Sequence, residues 1–572
     1  MYFRPLFYIL LHLSCFYAVG SGRLRRIKTP MRRQPMSVSS AEPLRVLLVK
    51  PYQRARLHLA CPPLGLLYLA STLRQMFGRD VEVRLLDLMV DGARYFDARG
   101  VLHEFRPHVV GLSALNWEAE ESGRLALMIQ TEFPGTIVAI GGPFAHGNTQ
   151  KICATRVFDW IFDGEADWSF PIACRRWFRG DKTMDDIVGL TWRSAPGEPF
   201  TNNAELLSLG LKKAAGVVDD LDAIPLPAWD LIDFDRYAKV RNMMALLRGK
   251  RYAPIFTSRG CPYSCTYCHD IFGKTFRFRS PENVAAEVKL LKDLGVDELE
   301  IVDDIFNMKP PRMKAVCRAI EPYKMHIAFP NGLRFDILDE EGCEALTRAG
   351  TYAACVAIET ITPRLQELIK KHLRVDRTHQ AIRWMADRGV MVRGFFMLGF
   401  PTETLDEIHA TIDYAVKSDL AQAYFFNVVP QPGTPLYDLA LQESATALEL
   451  QALQEYHSIT SWYTAAYGVN MQAVMKWALI RFLVLSPRRW VRLVRTMPWK
   501  NFVLDFCGFL GFIFRRKRVE DEPLPEDLLP FTRLYAPDPS SLTSAQTQQK
   551  RSKPKDKEPS SSFAQPAIGR NR

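Results

Sequence analysis

The sequence has no zinc-finger, RNA-binding or comparable nucleic-acid motif, so its net charge of +11 does not predict a nucleic-acid partner. The charge is also uneven, because basic runs lie near Arg23–Arg33, Arg488–Arg495 and Arg515–Arg518. These runs adjoin apolar segments, which favours contact with an anionic membrane surface over contact with DNA or RNA.

A disulfide framework is not expected either, because the eleven cysteines are odd in number and mostly scattered along the chain. This distribution is typical of proteins from a reducing compartment. A chain of 572 residues, of which 47% are hydrophobic, predicts about three or four globular domains with sizeable cores.

Three of the cysteines, however, stand close together. Cys261, Cys265 and Cys268 have the spacing C-x3-C-x2-C, with the aromatic Tyr267 just before the last of them. Thiolates are the usual ligands of iron–sulfur clusters, and a four-iron cluster held by three thiolates leaves one iron open to a substrate or cofactor. A zinc knuckle is the alternative, but His269 adjoins Cys268 and is badly placed as the fourth ligand of a structural zinc.

The cysteine motif resembles that of the radical SAM superfamily. The resemblance implies that the open iron of a [4Fe-4S] cluster chelates the amino and carboxylate groups of S-adenosylmethionine (SAM). It also implies that an electron, supplied by a donor such as flavodoxin or ferredoxin, releases a 5′-deoxyadenosyl radical from SAM.

The N-terminal segment Met1–Gly20 is mostly apolar, and three arginines follow it within six residues. We favour a translation start at Met31 or Met36, because export would carry an iron–sulfur protein into an oxidising space. A cytoplasmic membrane anchor is the second interpretation, and export is the third.

Strand and helix signals alternate from Leu44 onward. The helix signal is the segment PPLGLLYLASTLRQ at residues 62–75. Short apolar runs predict five strands, at Leu44–Val49, Val81–Leu86, His108–Leu112, Thr136–Ile140 and Trp160–Phe162. The alternation predicts a doubly wound parallel sheet, in which ligands bind at the carboxyl ends of the strands.

This region resembles the cobalamin-binding domain that precedes the radical SAM domain in one large subclass. The matching parts are PPLGLLYLAS, the pair Gly141-Gly142 and the motif D-x-x-F-D-G-E-A-D at Asp159–Asp167. The resemblance implies that Ser113, Gly141 and Gly142 contact cobalamin. A Rossmann-like domain with another ligand, or with none, is the alternative.

One feature of methionine-synthase-like cobalamin domains is missing. Those domains carry D-x-H-x-x-G, whose histidine ligates cobalt, whereas this chain has Asp87-Leu-Met-Val-Asp-Gly92 at the corresponding place. The same lack is usual in the subclass that this chain resembles, and the resemblance implies that cobalamin binds here without a protein imidazole.

Six further strand-like runs follow a linker that contains a predicted small hairpin at Ile187–Trp192 and the motif DDLDAIPLPAWDL at residues 219–231. The runs are Ile255–Ser258, Glu298–Val302, Ile327–Phe329, Ala353–Ala357, Val392–Leu398 and Ala423–Val429. With the helix-like stretches between them, they resemble the partial (β/α)6 barrel of radical SAM enzymes. The cluster loop would then follow the first strand, at the carboxyl end of the barrel.

The resemblance assigns five residues to SAM. Asp303 and Asp304 follow the second strand, where the family places acceptors for the methionine amino group. Glu359 ends the fourth strand and would bind the ribose. Gly394 opens a glycine motif beside the adenosine, and Tyr267 would pack on the adenine. The alternatives are solvated loop carboxylates for the acids and an ordinary core position for Tyr267. A further segment, PQPGTPLY at residues 430–437, resembles another signature of the subclass.

The C-terminal third interleaves tryptophans and arginines between residues 473 and 518. Its last apolar run, Asn501–Phe514, is shorter than the roughly 17–25 residues of a spanning helix. The pattern predicts helices that lie on a membrane surface, with a helical cap over the barrel as the alternative. The composition after Ser540 predicts disorder.

We therefore predict an α/β protein with six segments. They are an apolar and basic N-terminal extension (1–43), a doubly wound cobalamin-binding domain (44–180), a linker (181–245), a radical SAM barrel (246–441), a helical, membrane-surface region (442–520) and a disordered tail (521–572).

The predicted function is that of a cobalamin-dependent radical SAM enzyme. The group it resembles includes anaerobic magnesium-protoporphyrin IX monomethyl ester cyclase and the hopanoid methylases, which implies methylation of an unactivated carbon in a lipid-like or natural-product substrate. The alternatives are a cyclase or rearrangement enzyme without net methyl transfer, and a non-catalytic cobalamin sensor. A methylthiotransferase is disfavoured, because it would need a second cysteine cluster and an RNA-binding tail. We expect the protein in the cytoplasm, with a peripheral position on the inner face of the membrane left open.

Overall fold

The computed structural model describes residues 42–490 with several gaps. The gaps are residues 53–59, 91–94, 182, 195–197, 202–216, 241–242, 245–247, 269–270, 431–433, 446–460 and 485–488. The predicted N-terminal extension up to residue 41, the surface helices after residue 490 and the disordered tail therefore lie outside the described residues.

The first domain is built on a six-stranded sheet. Its strands are β1 (Leu44–Lys50), β2 (Val81–Asp87), β3 (Val109–Ser113), β4 (Ile137–Gly141), β5 (Trp160–Phe162) and β6 (Leu190–Trp192). They pair in the order 2-1-3-4-5-6, and only β5 and β6 run antiparallel. The parallel part has the strand order of a doubly wound fold, with its switch point between β1 and β3. Within Ile187–Trp192, where a hairpin is predicted, the structure has one strand, β6, which pairs antiparallel with β5 and forms an antiparallel bridge from Trp192 to Thr201.

Helices cover both faces of the sheet. They are α1 (Leu64–Phe77), α2 (Tyr95–Phe105), α3 (Ala119–Glu132), α4 (Thr149–Thr155) and α5 (Ser169–Phe178). Side chains of a strand alternate between the two faces of a sheet. In β1, Val46 and Leu48 accordingly enter one apolar core, whereas Leu47 and Val49 enter a second core on the opposite face.

The linker between the domains is anchored by its tryptophan. Trp229 is fully buried, and its indole N–H donates to Glu287 at 2.9 Å. Glu287 also pairs with Arg279. The linker motif thus docks on the second domain through a buried polar contact whose two partners are both satisfied.

The second domain is a sheet of six parallel strands that pair in chain order. They are β7 (Tyr252–Ile255), β10 (Glu298–Ile301), β11 (His326–Leu333), β12 (Thr351–Glu359), β13 (Met391–Leu398) and β14 (Gln422–Asn427), while β8 (Ser258–Arg259) and β9 (Arg277–Phe278) form a separate antiparallel pair. Within the described residues β7 and β14 are edge strands, so the barrel is open. The predicted partial (β/α)6 barrel is confirmed.

Helices alternate with these strands. They are α6 (Phe234–Tyr237), α7 (Pro281–Asp293), α8 (Pro310–Ile320), α9 (Glu340–Arg348), α10 (Pro363–Leu368), α11 (Val375–Asp387), α12 (Leu405–Lys417) and α13 (Pro435–Glu443), followed by α14 (Trp462–Tyr467) and α15 (Met471–Val484). Sequence signals explain several helix starts. Ser280 caps α7 ahead of its first residue, Pro281, and Thr404 forms a capping box with Glu407 at the start of α12.

The described part of the C-terminal region packs on the barrel. Arg481 of α15 pairs with Asp413 of α12. Arg489, which the sequence places among the membrane-facing arginines, is only 3% exposed. It donates to the carbonyl oxygens of Ser418 and Leu420, next to the end of α12. Here the structure favours the helical cap, and no helix in the described ranges is both long and apolar enough to span a bilayer.

Buried carboxylates close the amino end of the barrel. Glu298, at the start of β10, accepts from the backbone N–H groups of Arg248 and Gly249 at 2.7 Å each. Glu300, two residues later and fully buried, accepts from the N–H of Met244 at 3.1 Å. The backbone at the end of the linker is therefore held against this end of the barrel by two buried glutamates.

Replacing Glu300 by glutamine should make stability less dependent on pH. Burial raises the pKa of Glu300 to about 8, whereas an unfolded glutamate titrates near about 4.3. Between these values the folded state holds the extra proton, so stability falls as pH rises and levels off above the folded pKa. Glutamine does not titrate, so the Glu300→Gln variant should not lose stability as pH rises through this range. The melting temperature of the variant, measured by thermal unfolding, should therefore increase relative to that of the natural protein between pH 5 and pH 8.

Glu282→Gln is the matched control, because Glu282 is an exposed residue of α7. Its melting temperature should track that of the natural protein at every pH. If the Glu300→Gln curve ran parallel to the natural one, burial would not control this carboxyl group.

Candidate functional site

The loop that carries the three cysteines is closed by a short ladder. β8 pairs antiparallel with β9, and Cys261 donates its N–H to the carbonyl oxygen of Gly273 at 3.2 Å. Gly260, just before Cys261, has a φ of +84°, and a Cβ there would lie 2.3 Å from the Thr275 carbonyl oxygen. Only glycine fits this turn, so the sequence Gly260-Cys261 is required by the backbone.

The three thiols lie near one another on this loop. Cys261 and Cys265 are half-buried, Cys268 is exposed, and each pair is close enough to interact through charge. Partial burial raises the pKa of Cys261, a backbone hydrogen bond involving Tyr263 opposes the rise, and the charges of Asp304 and Cys265 add to it. Such thiols ionise together only when cations neutralise them.

The donor set of this loop fits an iron–sulfur cluster. All three side chains are free thiols, and thiolates are the usual ligands of cluster iron. A four-iron cluster would bind each thiolate through a different iron and leave one iron open. Cys261, Cys265 and Cys268 therefore fit a [4Fe-4S] cluster.

The loop lies at the carboxyl end of the barrel, as predicted. The N–H of Gly260 donates to Asp304, which follows β10, at 3.1 Å. Thr266 exchanges backbone bonds of 3.0 Å with Ile369, beyond β12, and with Leu436, beyond β14. Leu436 belongs to the segment PQPGTPLY, of which residues 431–433 lie outside the described part of the chain.

The two neighbouring aspartates have different surroundings. Asp303 is 1% exposed, and its carboxylate accepts from the N–H and hydroxyl of Thr257 and from the hydroxyl of Ser258, each at 2.6 Å. Asp303 therefore fixes the start of the cysteine loop. Because its carboxylate is buried and already accepts these three hydrogen bonds, its position does not suit the predicted contact with the SAM amino group. Asp304 is half-buried and faces the loop, so it alone keeps the prediction of an acceptor for the SAM amino group.

Glu359 is held in an unusual conformation at the end of β12. Its φ is +63°, and the pairing of β12 with β13 shifts register just before it. Both features turn a side chain away from the regular strand pattern and are frequent at functional sites. The placement agrees with the predicted role of Glu359 near a bound ligand, although Glu359 already has protein partners.

Those partners are Tyr267 and Lys371. The carboxylate of Glu359 accepts from the Tyr267 hydroxyl and from the Lys371 ammonium, both at 3.1 Å, and Lys371 also donates to the Tyr267 oxygen at 2.9 Å. Burial and the charge of Glu359 raise the pKa of Tyr267, so its hydroxyl remains protonated. Tyr267 also packs against a small apolar core that includes Leu365 and Phe400. Sequence reasoning missed Lys371, because no motif links it to a tyrosine 104 residues earlier.

Gly394 lies in the fifth strand of the barrel, where the glycine motif is predicted. It lies inside β13, fully within the sheet, where a Cβ would come within 2.5 Å of Leu420 and 2.8 Å of Phe396. Close packing therefore explains this glycine. Gly399, in the same motif, sits beyond the carboxyl end of β13 with a φ of +92° and donates its N–H to Glu403 at 2.6 Å. Gly399, rather than Gly394, thus lies at the carboxyl edge of the barrel.

The predicted cobalamin residues come together at the carboxyl edge of the first sheet. Ser113 ends β3, Gly141 ends β4, and the N–H of Ala114 donates to the Gly141 carbonyl oxygen at 3.1 Å. Gly142 has a φ of +83°, and a Cβ there would lie 2.8 Å from the Ser113 hydroxyl. The edge is thus lined by small residues, which lets a bulky ligand approach the backbone and fits a cobalamin site.

Two polar pairs flank this edge. Asp87 is buried at the end of β2, and its carboxylate accepts from the Tyr237 hydroxyl at 2.6 Å. His146 lies beyond β4, with its Nδ1 2.8 Å from a carboxylate oxygen of Asp163 beyond β5. The sequence singled out the missing histidine of D-x-H-x-x-G but not His146, which the fold brings to the same edge.

Comparison with known proteins agrees with this architecture. The family model of the Radical SAM superfamily matches residues 255–415, and that of the B12 binding domain matches residues 54–172. This chain is a radical SAM enzyme with a B12-binding domain. Its cofactors are a [4Fe-4S] cluster, SAM and cobalamin.

Two proteins named as methyltransferases and one named as a cyclase are similar to this radical SAM enzyme. An uncharacterized methyltransferase of Pyrococcus horikoshii is 28% identical over 392 residues, covering 66% of this chain and 78% of that protein. Cytidylyl-2-hydroxyethylphosphonate methyltransferase of Streptomyces wedmorensis is 29% identical over 416 residues, covering 65% and 77%. Anaerobic magnesium-protoporphyrin IX monomethyl ester cyclase of Rubrivivax gelatinosus is 22% identical over 431 residues, covering 73% of each.

Solved structures share the fold. The radical SAM methyltransferase TsrM of Kitasatospora setae superposes with a TM-score of 0.55 at 19% identity, covering 71% of this chain and 77% of that one. The cobalamin-dependent radical enzyme OxsB superposes with a TM-score of 0.55 at 14% identity, covering 89% and 80%. At these identities the superpositions establish the common arrangement of domains.

Replacing Cys261, Cys265 and Cys268 by alanine should abolish the cluster. Anaerobically reconstituted natural protein is expected to contain about four irons per chain and to absorb broadly in the visible range. The triple variant lacks all three thiolates and should lose both signals, as measured by iron analysis and absorption spectroscopy. The control is Cys343→Ala, which removes a buried core cysteine of α9 and should keep the cluster. A triple variant with an unchanged spectrum would rule out this loop as the cluster site.

Replacing Lys371 by methionine should weaken SAM cleavage without removing the cluster. The change leaves Glu359 and Tyr267 without their cation, so formation of 5′-deoxyadenosine under dithionite should fall by about tenfold or more, the equivalent of a charge-assisted hydrogen bond. Lys370→Met is the matched control, because Lys370 is the exposed neighbour and should keep the natural rate. Equal rates in both variants would show that Lys371 has no part in the SAM site.

Proposed function

We propose that this radical SAM enzyme transfers a methyl group to an unactivated carbon of a lipid-like or natural-product substrate. When bound, the cluster, SAM and cobalamin supply a 5′-deoxyadenosyl radical and a transferable methyl group. The protein has to hold the substrate carbon between these cofactors and to keep water out. The similar proteins that are named methyltransferases support this proposal.

The observation that carries the proposal is the direct contact between the cobalamin-binding domain and the start of the cysteine loop. Glu165 and Asp167, which follow β5 in the cobalamin-binding domain, contact Arg259 at the start of the cysteine loop. A second contact lies at the opposite, amino end of β7, where the Tyr252 hydroxyl donates to the carbonyl oxygen of Ala60, beyond β1, at 2.6 Å. The cobalamin-binding domain, whose carboxyl edge holds Ser113, Gly141 and Gly142, therefore packs against the β7 side of the open barrel. The cysteine loop begins on this same side.

The residues around the loop have separate tasks in this proposal. Cys261, Cys265 and Cys268 hold the cluster. Asp304 accepts a hydrogen bond from the SAM amino group, because an ammonium needs acceptors. Glu359 accepts from the ribose hydroxyls, and the ring of Tyr267 packs on the adenine. Asp303 holds the loop itself in place.

A same-fold cyclase without net methyl transfer is the second candidate, supported by the likeness to magnesium-protoporphyrin cyclase. Its substrate would be oxidised or rearranged after loss of a hydrogen atom, and cobalamin would not donate a methyl group. Both reactions use the same cofactor sites. The two candidates therefore differ in whether the substrate carbon receives a methyl group.

SAM labelled in its methyl group separates the candidates. The reconstituted full-length enzyme, incubated with dithionite and with lipid and aqueous extracts in parallel, should give a labelled product together with 5′-deoxyadenosine. A new product without label would establish the cyclase, whereas the absence of 5′-deoxyadenosine above the level of the triple cysteine variant would establish a sensor.

The lipid-like character of the substrate rests on the basic and apolar sequence after residue 490. Arg489 is packed into the barrel wall, so a chain ending at residue 490 keeps the described domains. We expect this shortened enzyme to lose labelled product from the lipid extract while it still forms 5′-deoxyadenosine. Undiminished labelling of the lipid product would show that the C-terminal segment does not select the substrate.

A further inference from the structure

Both strands that close the cysteine loop carry a buried arginine. Arg259 in β8 lies two residues before Cys261, and Arg277 in β9 lies nine residues after Cys268. The two arginines are directly opposite each other in the β8–β9 pair, and each is 5% exposed. Two guanidinium groups side by side away from water are tolerated only if carboxylates neutralise them.

The cobalamin-binding domain supplies those carboxylates. Arg259 donates through Nη1 and Nη2 to both oxygens of Asp167, at 2.8 and 3.0 Å, and through Nη1 to Glu165 at 2.9 Å. Arg277 binds both oxygens of the same Glu165. The side chains of Glu165 and Asp167 are themselves buried. Glu165 and Asp167 of the first domain therefore bind the arginines on both sides of the cysteine loop in the second domain.

The acidic pair is also tied to the predicted cobalamin edge. Glu165 and Asp167 lie in the segment that follows β5, and β5 pairs with β4, which ends at Gly141. A Cβ at Gly141 would touch Phe162, the last residue of β5, at 3.6 Å. A shift of the glycine edge would consequently move the carboxylates, and with them the two arginines.

Stability alone is a weak explanation for this network. Buried ion pairs contribute little net stability compared with apolar residues of the same size, because removing charges from water is costly. Two-pronged contacts between arginine and carboxylate do, however, fix both distance and orientation. The network spans the sites of two different cofactors, so the geometry that it fixes is the position of one site relative to the other.

We propose that Arg259 and Arg277, through Glu165 and Asp167, are positioning residues that couple the cysteine loop to the cobalamin edge, so that occupancy of either cofactor site strengthens binding at the other. This inference rests on the proposed function in so far as both cofactors bind to this chain. Coupling of two sites is reciprocal, because the same free energy links both binding steps.

Titration with hydroxocobalamin tests the coupling without any substrate. Full-length protein is titrated before and after cluster reconstitution, and the dissociation constants are obtained from absorption or fluorescence quenching. In the natural protein the cluster should tighten cobalamin binding by about fivefold or more. In the double variant Arg259→Gln/Asp167→Asn the ratio of the two constants should fall toward one, because only the contact of Arg277 with Glu165 remains, while both cofactors still bind.

The double variant avoids the main difficulty of a single change. Arg259→Gln alone would leave Asp167 buried and unpaired, which destabilises a protein strongly, whereas the double variant removes both charges together. The matched control is Arg251→Gln/Asp235→Asn, which removes an exposed two-pronged pair with contacts of 2.7 Å. This control should keep the natural ratio of the two constants.

The outcomes are distinct. Equal constants in the natural protein, or an unchanged ratio in the double variant, would overturn the coupling while leaving the proposed function intact. If the natural protein bound no cobalamin at all, the proposed function would fail and the coupling with it. Reciprocity offers a second measurement, because bound cobalamin should slow the loss of iron to a chelator more strongly in the natural protein than in the double variant.

Discussion

Parallel pairing of strands is the constraint on which the rest of this structure depends. In both sheets it gathers the carboxyl ends of neighbouring strands at one edge, so residues far apart in sequence become neighbours. Ser113 and Gly141 meet in this way in the first domain. Asp304 and Glu359 reach the cysteine loop in the second, because β10 and β12 end on the same side as β7.

Buried charges then fix these edges in detail. Asp303 holds the start of the cysteine loop through three hydrogen bonds, and Lys371 ties Glu359 to Tyr267. Each of these groups would be costly to bury alone, so each is found with a partner. The result is a loop whose backbone is specified on all sides, as a site for a reactive cofactor requires.

The same principle operates between the domains. Glu165 and Asp167 belong to a motif of the first domain, and Arg259 belongs to the cysteine motif of the second. Considered separately, each motif concerns its own cofactor. Their contact in the folded chain gives the acidic residues and the arginine a common task, and it accounts for the depth at which all three side chains are buried.

Much of the fold was predictable because its signals are local. Most apolar runs matched their strands closely, although the first barrel strand, predicted at Ile255–Ser258, is β7 at Tyr252–Ile255. Pro281 and Thr404 marked helix starts through rules that act within one turn. The hairpin predicted at Ile187–Trp192 differs for the opposite reason, since its strand β6 pairs with β5 and, through Trp192, with Thr201. Strand pairing depends on residues that are far apart in the chain, so the local sequence of one strand does not identify its partner.

The site shows the same division between local and long-range information. The amino-acid sequence by itself determined the cysteine triad, the glycine that precedes it and the order of the two domains, because these depend on spacing and backbone geometry along a short stretch of chain. Only the tertiary structure decided that Asp304 rather than Asp303 faces the loop, that Lys371 completes the Tyr267–Glu359 pair, and that Arg489 lies inside the barrel wall. Burial and charge pairing determine the positions of these residues. Both depend on residues that become neighbours only when the chain folds.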